Sequence, residues 1–230
     1  MRLGLISLLL LTACEPPGPS HFASPELRAC AAMNDGRLTT ISAAVARVNT
    51  LPPSSPACFL ASLTRPLSVV ASTSITSAQP AVSRESPRLF LLDAALAISL
   101  VPEGDGAHLV EFSEWLTPTR TLKGELVLPR TGTLGDDAPY THLRFNSPAT
   151  TCGLCHCEET PHPTIPGAHV SLAFRPSPPT LVPLSELLAA HEQCTRDEDP
   201  SERCAMFHAL FDFGVVRAGA FSTDVALFAE

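Results

Sequence analysis

Aromatic residues and positive charges are scarce in this chain of 230 residues. Phe, Trp and Tyr make up 6% of the residues and hydrophobic residues 45%, so burial must rely on Leu, Val and Ala. The 15 Lys and Arg residues are outnumbered by 23 Asp and Glu residues, which gives a formal net charge of −8. We therefore expect no nucleic-acid partner, because binding to phosphates requires a basic surface.

Motifs of the common enzyme classes are also missing. The sequence contains no G-x-S-x-G nucleophile elbow, no Gly-rich phosphate loop and no H-E-x-x-H metal motif. Beyond the N-terminal apolar run, no segment approaches the roughly 20 apolar residues that a membrane-spanning helix needs. The sequence therefore offers no hydrolase or transferase site, and a non-enzymatic role is favoured.

The first residues form an export signal. Arg2 precedes an apolar run from Leu3 to Leu11, and small residues then lead to Cys14. A basic start, a short apolar segment and small residues before a cleavage point are typical of a secretory signal peptide. The sequence Leu11-Thr12-Ala13-Cys14 resembles the lipobox of bacterial lipoproteins. This resemblance implies cleavage before Cys14, with a diacylglyceryl group on its sulfur and acylation of the new amino terminus.

The same resemblance predicts where the chain resides. More than one acyl chain gives stable anchoring, whereas a single chain is marginal. The acidic composition does not favour electrostatic docking on anionic lipid, so the lipid on Cys14 is the expected membrane anchor. Glu15 follows this cysteine, whereas an Asp there retains such proteins in the inner membrane of enteric bacteria. The predicted location is the bacterial cell envelope, with the outer membrane favoured.

Changes in composition predict how the exported chain is organised. Proline is frequent, with 23 residues, and this favours many short elements over long helices. The predicted parts are a signal peptide (1–13), a proline-rich tether (14–24), an N-terminal helical segment (25–60), a β-rich domain (61–150), and a cysteine-cluster loop with a strand and C-terminal helices (151–230). We expect the last part to pack against the β-rich domain.

Hydrophobic periodicity predicts an α+β fold with a small helical pair at the N-terminus and an αα-hairpin at the C-terminus. Ser24-Pro25-Glu26 is a helix-start signal, since serine caps and proline fits the first helical position. Ser201 is a second cap. The other predicted helical residues are the apolar stripe Leu38, Ile41, Val45 and Val48, and the run from Leu184 to Cys194.

Between the helical parts the period shortens to two, which predicts a sandwich-like antiparallel sheet. Leu122 and Leu126 are expected on one face of a strand, with Lys123 and Glu125 on the other. Glu111, Glu114 and Trp115 are candidates to line a pocket, although Trp115 is expected in the core. The predicted strands are Leu67–Ala71, Arg88–Leu92, Ala94–Val101, His108–Trp115, Thr121–Leu128, Thr141–Phe145 and Val170–Phe174.

Eight cysteines are too many for a reduced cytosolic protein of this size, and export permits disulfides. Cys194 and Cys204 lie across the turn of the predicted αα-hairpin, so we expect a disulfide between them. Cys30 and Cys58 are the matching pair at the N-terminal end. Both disulfides are expected to be structural. With Cys14 lipidated, the three cysteines near residue 155 are left over.

Those three cysteines lie in the most specific motif of the exported chain. Cys152-Gly153-Leu154-Cys155-His156 resembles the C-x-x-C-H haem-attachment motif of c-type cytochromes. The resemblance implies thioether bonds from Cys152 and Cys155 to haem, with His156 as the proximal iron ligand. Pro161 and Pro163 oppose the helix that usually carries this motif. The conceivable distal ligands are His162, His169, His191, Met206 and His208.

Three other hypotheses use the same cluster. Two of its three cysteines can be in structural disulfides, either within the cluster or with a distant partner. Cys152, Cys155, Cys157 and His162 supply donors for a tetrahedral zinc site. The C-x-x-C spacing also resembles that of thioredoxin-like oxidoreductases. The favoured prediction is an envelope lipoprotein with a disulfide-stabilised, non-enzymatic binding or structural domain, and haem-based electron transfer is the alternative.

Overall fold

The structure is a computed structural model that describes residues 23–52, 55–146 and 149–228. The predicted signal peptide (1–13), Cys14 and most of the predicted tether lie outside the described residues. Within the described ranges, no helix has both the length and the apolar character needed to cross a bilayer.

Three short helices form the N-terminal part, where the sequence predicted a pair. Each of them begins after a capping hydroxyl, which accepts a hydrogen bond from a backbone N–H of the first turn. The helix that the prediction missed carries Ser55 as its cap and proline at its first position, which is the same signal that was recognised at Ser24. The helices are α1 (Pro25–Ala32), α2 (Ile41–Thr50) and α3 (Pro56–Ala61).

A predominantly antiparallel sheet of nine strands forms the middle of the molecule. Its strands are β1 (Leu67–Ser72), β2 (Arg88–Leu92), β3 (Leu96–Leu100), β4 (Leu109–Thr117), β5 (Arg120–Val127), β8 (Thr160–Pro161), β9 (His169–Leu172), β11 (Leu181–Val182) and β12 (Val216–Ala218). The order of neighbouring strands is β11-β1-β2-β3-β4-β5-β9-β8, and β12 pairs in parallel with β1.

Small elements complete the chain. Of the predicted strand Thr141–Phe145, only the last part is extended, because the helical turn α4 (Ala138–Thr141) uses its first residue. The remaining strands form two two-stranded sheets, β6 (Arg144–Asn146) with β7 (Ala149–Thr150) and β10 (Phe174–Arg175) with β13 (Ala226–Leu227).

The two faces of the sheet differ in chemistry, as the alternation of the strands predicted. Leu122 and Leu126 belong to the hydrophobic core together with Phe112 from the neighbouring strand. Helices rather than a second large sheet cover this face. Gly124 allows close approach of α2, since a Cβ atom there would lie 3.1 Å from Ile41 Cδ1. Lys123 and Glu125 lie on the opposite face, and both are buried there.

The C-terminal αα-hairpin is present as predicted and joins the same core. Helix α5 spans Leu184–Asp197 and α6 spans Glu202–Phe211. Ser201 caps α6, since its Oγ accepts a hydrogen bond of 3.2 Å from Cys204 N. Both predicted disulfides are confirmed, with Cα–Cα distances of 5.3 Å for Cys30–Cys58 and 5.4 Å for Cys194–Cys204. The predicted α+β fold with a disulfide-linked helical part at each end is therefore confirmed.

Candidate ligand-binding site

A cavity of about 150 Å³ lies on the face of the sheet that the helices do not cover. Its floor consists of side chains from β2, β3, β4 and β5 that alternate with the core residues. The loop that carries the C-x-x-C-H motif and the β10 strand supply other walls. The charged and aromatic lining residues are Arg88, Phe90, Glu111, Trp115, Lys123, Glu125, His156, Phe174, Arg175, Phe221 and Phe228.

Lys123 is the most unusual of these residues. It is the only lysine in the chain, and it is 4% exposed. Its Nζ donates to Ser113 Oγ over 3.3 Å. In the part of the chain that the structure describes, it forms no salt bridge within 4.0 Å. Buried lysines are rare unless they are paired, and burial lowers the pKa of Lys123 to about 8.

The carboxylates around Lys123 already have partners. Glu111 forms an ion pair with Arg88, whose Nε also donates to Ser99 Oγ over 2.7 Å. Glu125 contacts His142 across the edge of the cavity. Burial, and then the charge of Glu111, raise the pKa of Glu125. Both carboxylates are thus engaged by other side chains, and neither forms a salt bridge with the ammonium group of Lys123.

The cysteine loop reaches the cavity through one short helical turn. Residues Thr151–Leu154 form a 3₁₀ helix, and Thr150 Oγ1 caps it by accepting from Cys152 N over 3.2 Å. Glu159 holds this cap, because its carboxylate accepts a hydrogen bond of 2.9 Å from Thr150 N. Burial and the nearby charge of Glu111 raise the pKa of the Cys152 thiol to about 12. The thiol therefore stays protonated at neutral pH.

His156 is held in one orientation beside this thiol. Its Nδ1 lies 2.8 Å from Leu172 O, and the ring stacks on Phe174 with centroids 5.6 Å apart. Since a carbonyl oxygen only accepts, Nδ1 carries the ring proton. Burial, followed by the charge of Lys123, lowers the pKa of His156 to about 3. The imidazole is neutral at physiological pH and does not neutralise or repel a charged ligand.

The haem-attachment residues are brought together, but the space does not fit a haem. Cys152, Cys155 and His156 all line the cavity. Pockets for drug-sized ligands have volumes of roughly 300–1,000 Å³, and a porphyrin is larger than most such ligands. The cavity of about 150 Å³ is also lined by charged groups. Among the described residues, none of the five conceivable distal ligands lines it (His162, His169, His191, Met206, His208).

The other hypotheses for the cluster find little support in its geometry. Cys152, Cys155 and Cys157 form no disulfide within the described ranges, so the expected structural bridge is wrong for this structure. Cys152 is half-buried in the 3₁₀ turn, whereas Cys157 is exposed. His162 lies in its own turn, with Nδ1 accepting from Ile165 N over 3.1 Å. The predicted zinc donors are therefore not gathered among the described residues. A raised thiol pKa is the opposite of what a thioredoxin-like cysteine requires.

The sequence predicted two of the residues that line the pocket but not Lys123. Glu111 and Trp115 line the cavity, although Trp115 was expected in the core. Glu114 lies on the other face and accepts from Ile41 N over 2.8 Å. Lys123 was assigned to the polar face of its strand and given no role. The signal that could have found Lys123 is that it is the only lysine of the chain and lies within a strand rather than a loop.

Comparison of the chain with protein-family models, with curated proteins and with solved structures finds no match. Because one fold hosts many activities, the chemistry of the site is what indicates a function. The pocket around Lys123 is the part of the described structure that carries such an argument.

Replacing Lys123 by Met should stabilise the protein at neutral pH. The pKa of Lys123 falls from 10.5 to about 8 on folding, so burying the charged form costs about 3 kcal/mol below pH 8. Between pH 8 and 10.5 the unfolded chain binds more protons, and the stability of the wild type rises relative to the variant. Urea unfolding at pH 7 and pH 10.5 measures both effects.

The matched control is Arg217→Met, which replaces an exposed basic side chain instead of a buried one. It should show no such change between the two pH values. Two results would contradict the assignment of a desolvated lysine. One is a free energy of unfolding at pH 7 that is lower for Lys123→Met than for the wild type. The other is a difference in unfolding free energy that is the same at pH 7 and pH 10.5.

Proposed function

We propose that this chain is a lipid-anchored protein of the bacterial cell envelope whose exported domain binds a small organic anion in the pocket at Lys123. The lipobox-like sequence ending at Cys14 supports the anchor. The two disulfides support an oxidising compartment, since such bonds form and persist outside the cytosol. The single observation that carries the binding function is the buried, unpaired ammonium group of Lys123.

The charge of the lining favours an anion over a neutral or cationic ligand. Three cationic side chains (Arg88, Lys123 and Arg175) line the cavity against two carboxylates. Arg88 and the carboxylates are committed to pairs with one another or with His142. A ligand carboxylate at Lys123 would accept a charge-assisted hydrogen bond from Nζ and supply the missing counterion. Binding would therefore relieve the cost of keeping this amine charged.

The rest of the lining favours an apolar body on that anion. Phe90 and Phe221 pack edge to face with centroids 5.5 Å apart, and Phe174 and Phe228 do so at 5.7 Å. A more open cavity of about 420 Å³ adjoins the first and shares Trp115 and Phe221 with it. Its other walls include Leu92, Leu116 and Val225. An acidic head at Lys123 and an apolar tail of modest length would fill the two spaces.

Haem-based electron transfer is the alternative that the same loop would serve. The observation in its favour is that Cys152, Cys155 and His156 line one cavity, with the Nδ1 proton of His156 directed to a backbone carbonyl. The volume and the charged lining oppose it. Protein produced in a host with haem-attachment machinery should show no Soret absorption. A Soret band from covalently bound haem would contradict the anion-binding proposal and favour electron transfer.

Binding can be measured through Trp115, which is the only tryptophan and lines both cavities. We expect the fluorescence of full-length protein in detergent to respond saturably to hexanoate or phenylacetate, and not to hexanol or 2-phenylethylamine. A hydrogen bond between charged groups contributes about 1.5–3 kcal/mol, so Lys123→Met should weaken binding by about tenfold or more. Affinity should also fall as pH rises above 8, where Lys123 loses its proton.

Arg217→Met is again the matched control and should bind as the wild type does. The proposal fails if neither carboxylate binds, if the amine binds as well as the acid, or if Lys123→Met leaves the affinity unchanged. Amine-reactive labelling gives a second readout, because Lys123 carries the only ε-amino group and a bound anion should protect it.

The anchor has its own test in Cys14→Ser. A serine lacks the thiol that accepts the diacylglyceryl group, so the variant should lose palmitate labelling and partition into the aqueous phase of a detergent separation. Cys157→Ser, which removes an exposed thiol of the mature chain, is the matched control and should be processed normally. Unchanged labelling and partitioning of Cys14→Ser would contradict the lipoprotein proposal.

A further inference from the structure

A second cluster of ligating side chains lies on the αα-hairpin, away from the pocket. His191 Nε2 is 2.7 Å from Asp212 Oδ1, and His208 Nδ1 is 2.9 Å from Asp212 Oδ2. The three side chains thus offer two imidazole nitrogens and a carboxylate oxygen, all within 4.8 Å of one another. We propose that they bind a divalent transition-metal ion, for which zinc is the best-suited candidate.

The donor set fits such an ion. Two histidines and one carboxylate are a recurrent set for zinc and other first-row metals, and three protein ligands leave a position for water. Zinc bonds these donors at about 2.0–2.2 Å, so two ligand atoms in a tetrahedral site are separated by about 3.3–3.6 Å. Donors that already lie within 4.8 Å need only a small inward movement.

The backbone holds the ligands in place before any ion arrives. His208 and Asp212 are four residues apart at the end of α6, which puts them on one side of that helix. His191 comes from α5, and the Cys194–Cys204 disulfide joins the two helices. Cys194 is three residues after His191 and Cys204 is four before His208, so the covalent link lies about one helical turn from each histidine.

Burial and charge also favour a cation at this position. The Asp212 side chain is 1% exposed, whereas those of His191 and His208 are 18% and 10% exposed. A divalent ion at this position would be attracted by the buried carboxylate and coordinated by the two imidazole nitrogens. The partial exposure of His191 gives the ion a route from solvent. The other three-donor group in the described ranges, Cys194, Asp199 and Cys204, has both sulfurs in the disulfide.

The test is zinc binding by the full-length protein in detergent after treatment with a chelator. Competition with a chromogenic chelator should show one tightly bound zinc per chain. His191→Gln removes the imidazole and keeps an amide that can donate to Asp212, and it should weaken zinc binding by more than about tenfold. With Co²⁺ as the probe, the visible spectrum should show ligand-field bands without thiolate charge transfer.

The controls are Cys155→Ser and His162→Gln, which alter the donors predicted from the sequence and should leave zinc binding unchanged. Zinc binding that is lost in these variants and retained in His191→Gln would overturn the proposal in favour of the cysteine cluster. An absence of tight zinc binding in the wild type would show that the trio is only a hydrogen-bonded link between helices. Near-UV circular dichroism checks that each variant is folded. We expect His191→Gln to fold, because His191 is partly exposed and the glutamine amide can still donate to Asp212.

Discussion

The ammonium group of Lys123 is almost entirely buried, and the nearby carboxylates are already paired with other side chains. The same burial acts on the groups around it, raising the pKa of Cys152 and lowering that of His156. Thiol and imidazole are thereby kept neutral, and Lys123 brings to the cavity a buried positive charge that forms no salt bridge among the described residues. A reactive cysteine would need a lowered thiol pKa, whereas anion binding needs a positive charge and no reactive thiol. The raised pKa of Cys152 and the buried charge of Lys123 favour anion binding.

The architecture explains how such a pocket is maintained. One face of the sheet packs against the helices in a continuous hydrophobic core that reaches from α1 to α6. The other face is then free to carry polar and aromatic side chains, and the Thr151–Leu154 turn covers part of it. Disulfides at both helical ends hold the core without using the three cysteines of the turn.

Local signals in the sequence predicted most of the fold. Capping serines and prolines located helices, and alternation placed Leu122 and Lys123 on opposite faces. The pocket could not be predicted in this way, because alternation distinguishes two faces of a strand without saying whether the polar face is covered. Burial of Lys123 depends on the contact of β4 and β5 with a loop some 30 residues later in the chain. The C-x-x-C-H motif correctly indicated that the loop at Cys152–His156 belongs to a site. It also predicted haem, which the cavity does not fit.

The most direct test of this account is the pKa of Lys123 itself. Because the chain contains a single lysine, selective isotope labelling should give one side-chain resonance, whose titration by NMR needs no assignment. We predict a midpoint near pH 8, which should shift upward when a carboxylate ligand is added. A midpoint near the ordinary value of about 10.4 would show that the amine is hydrated, and would contradict the binding site proposed around it.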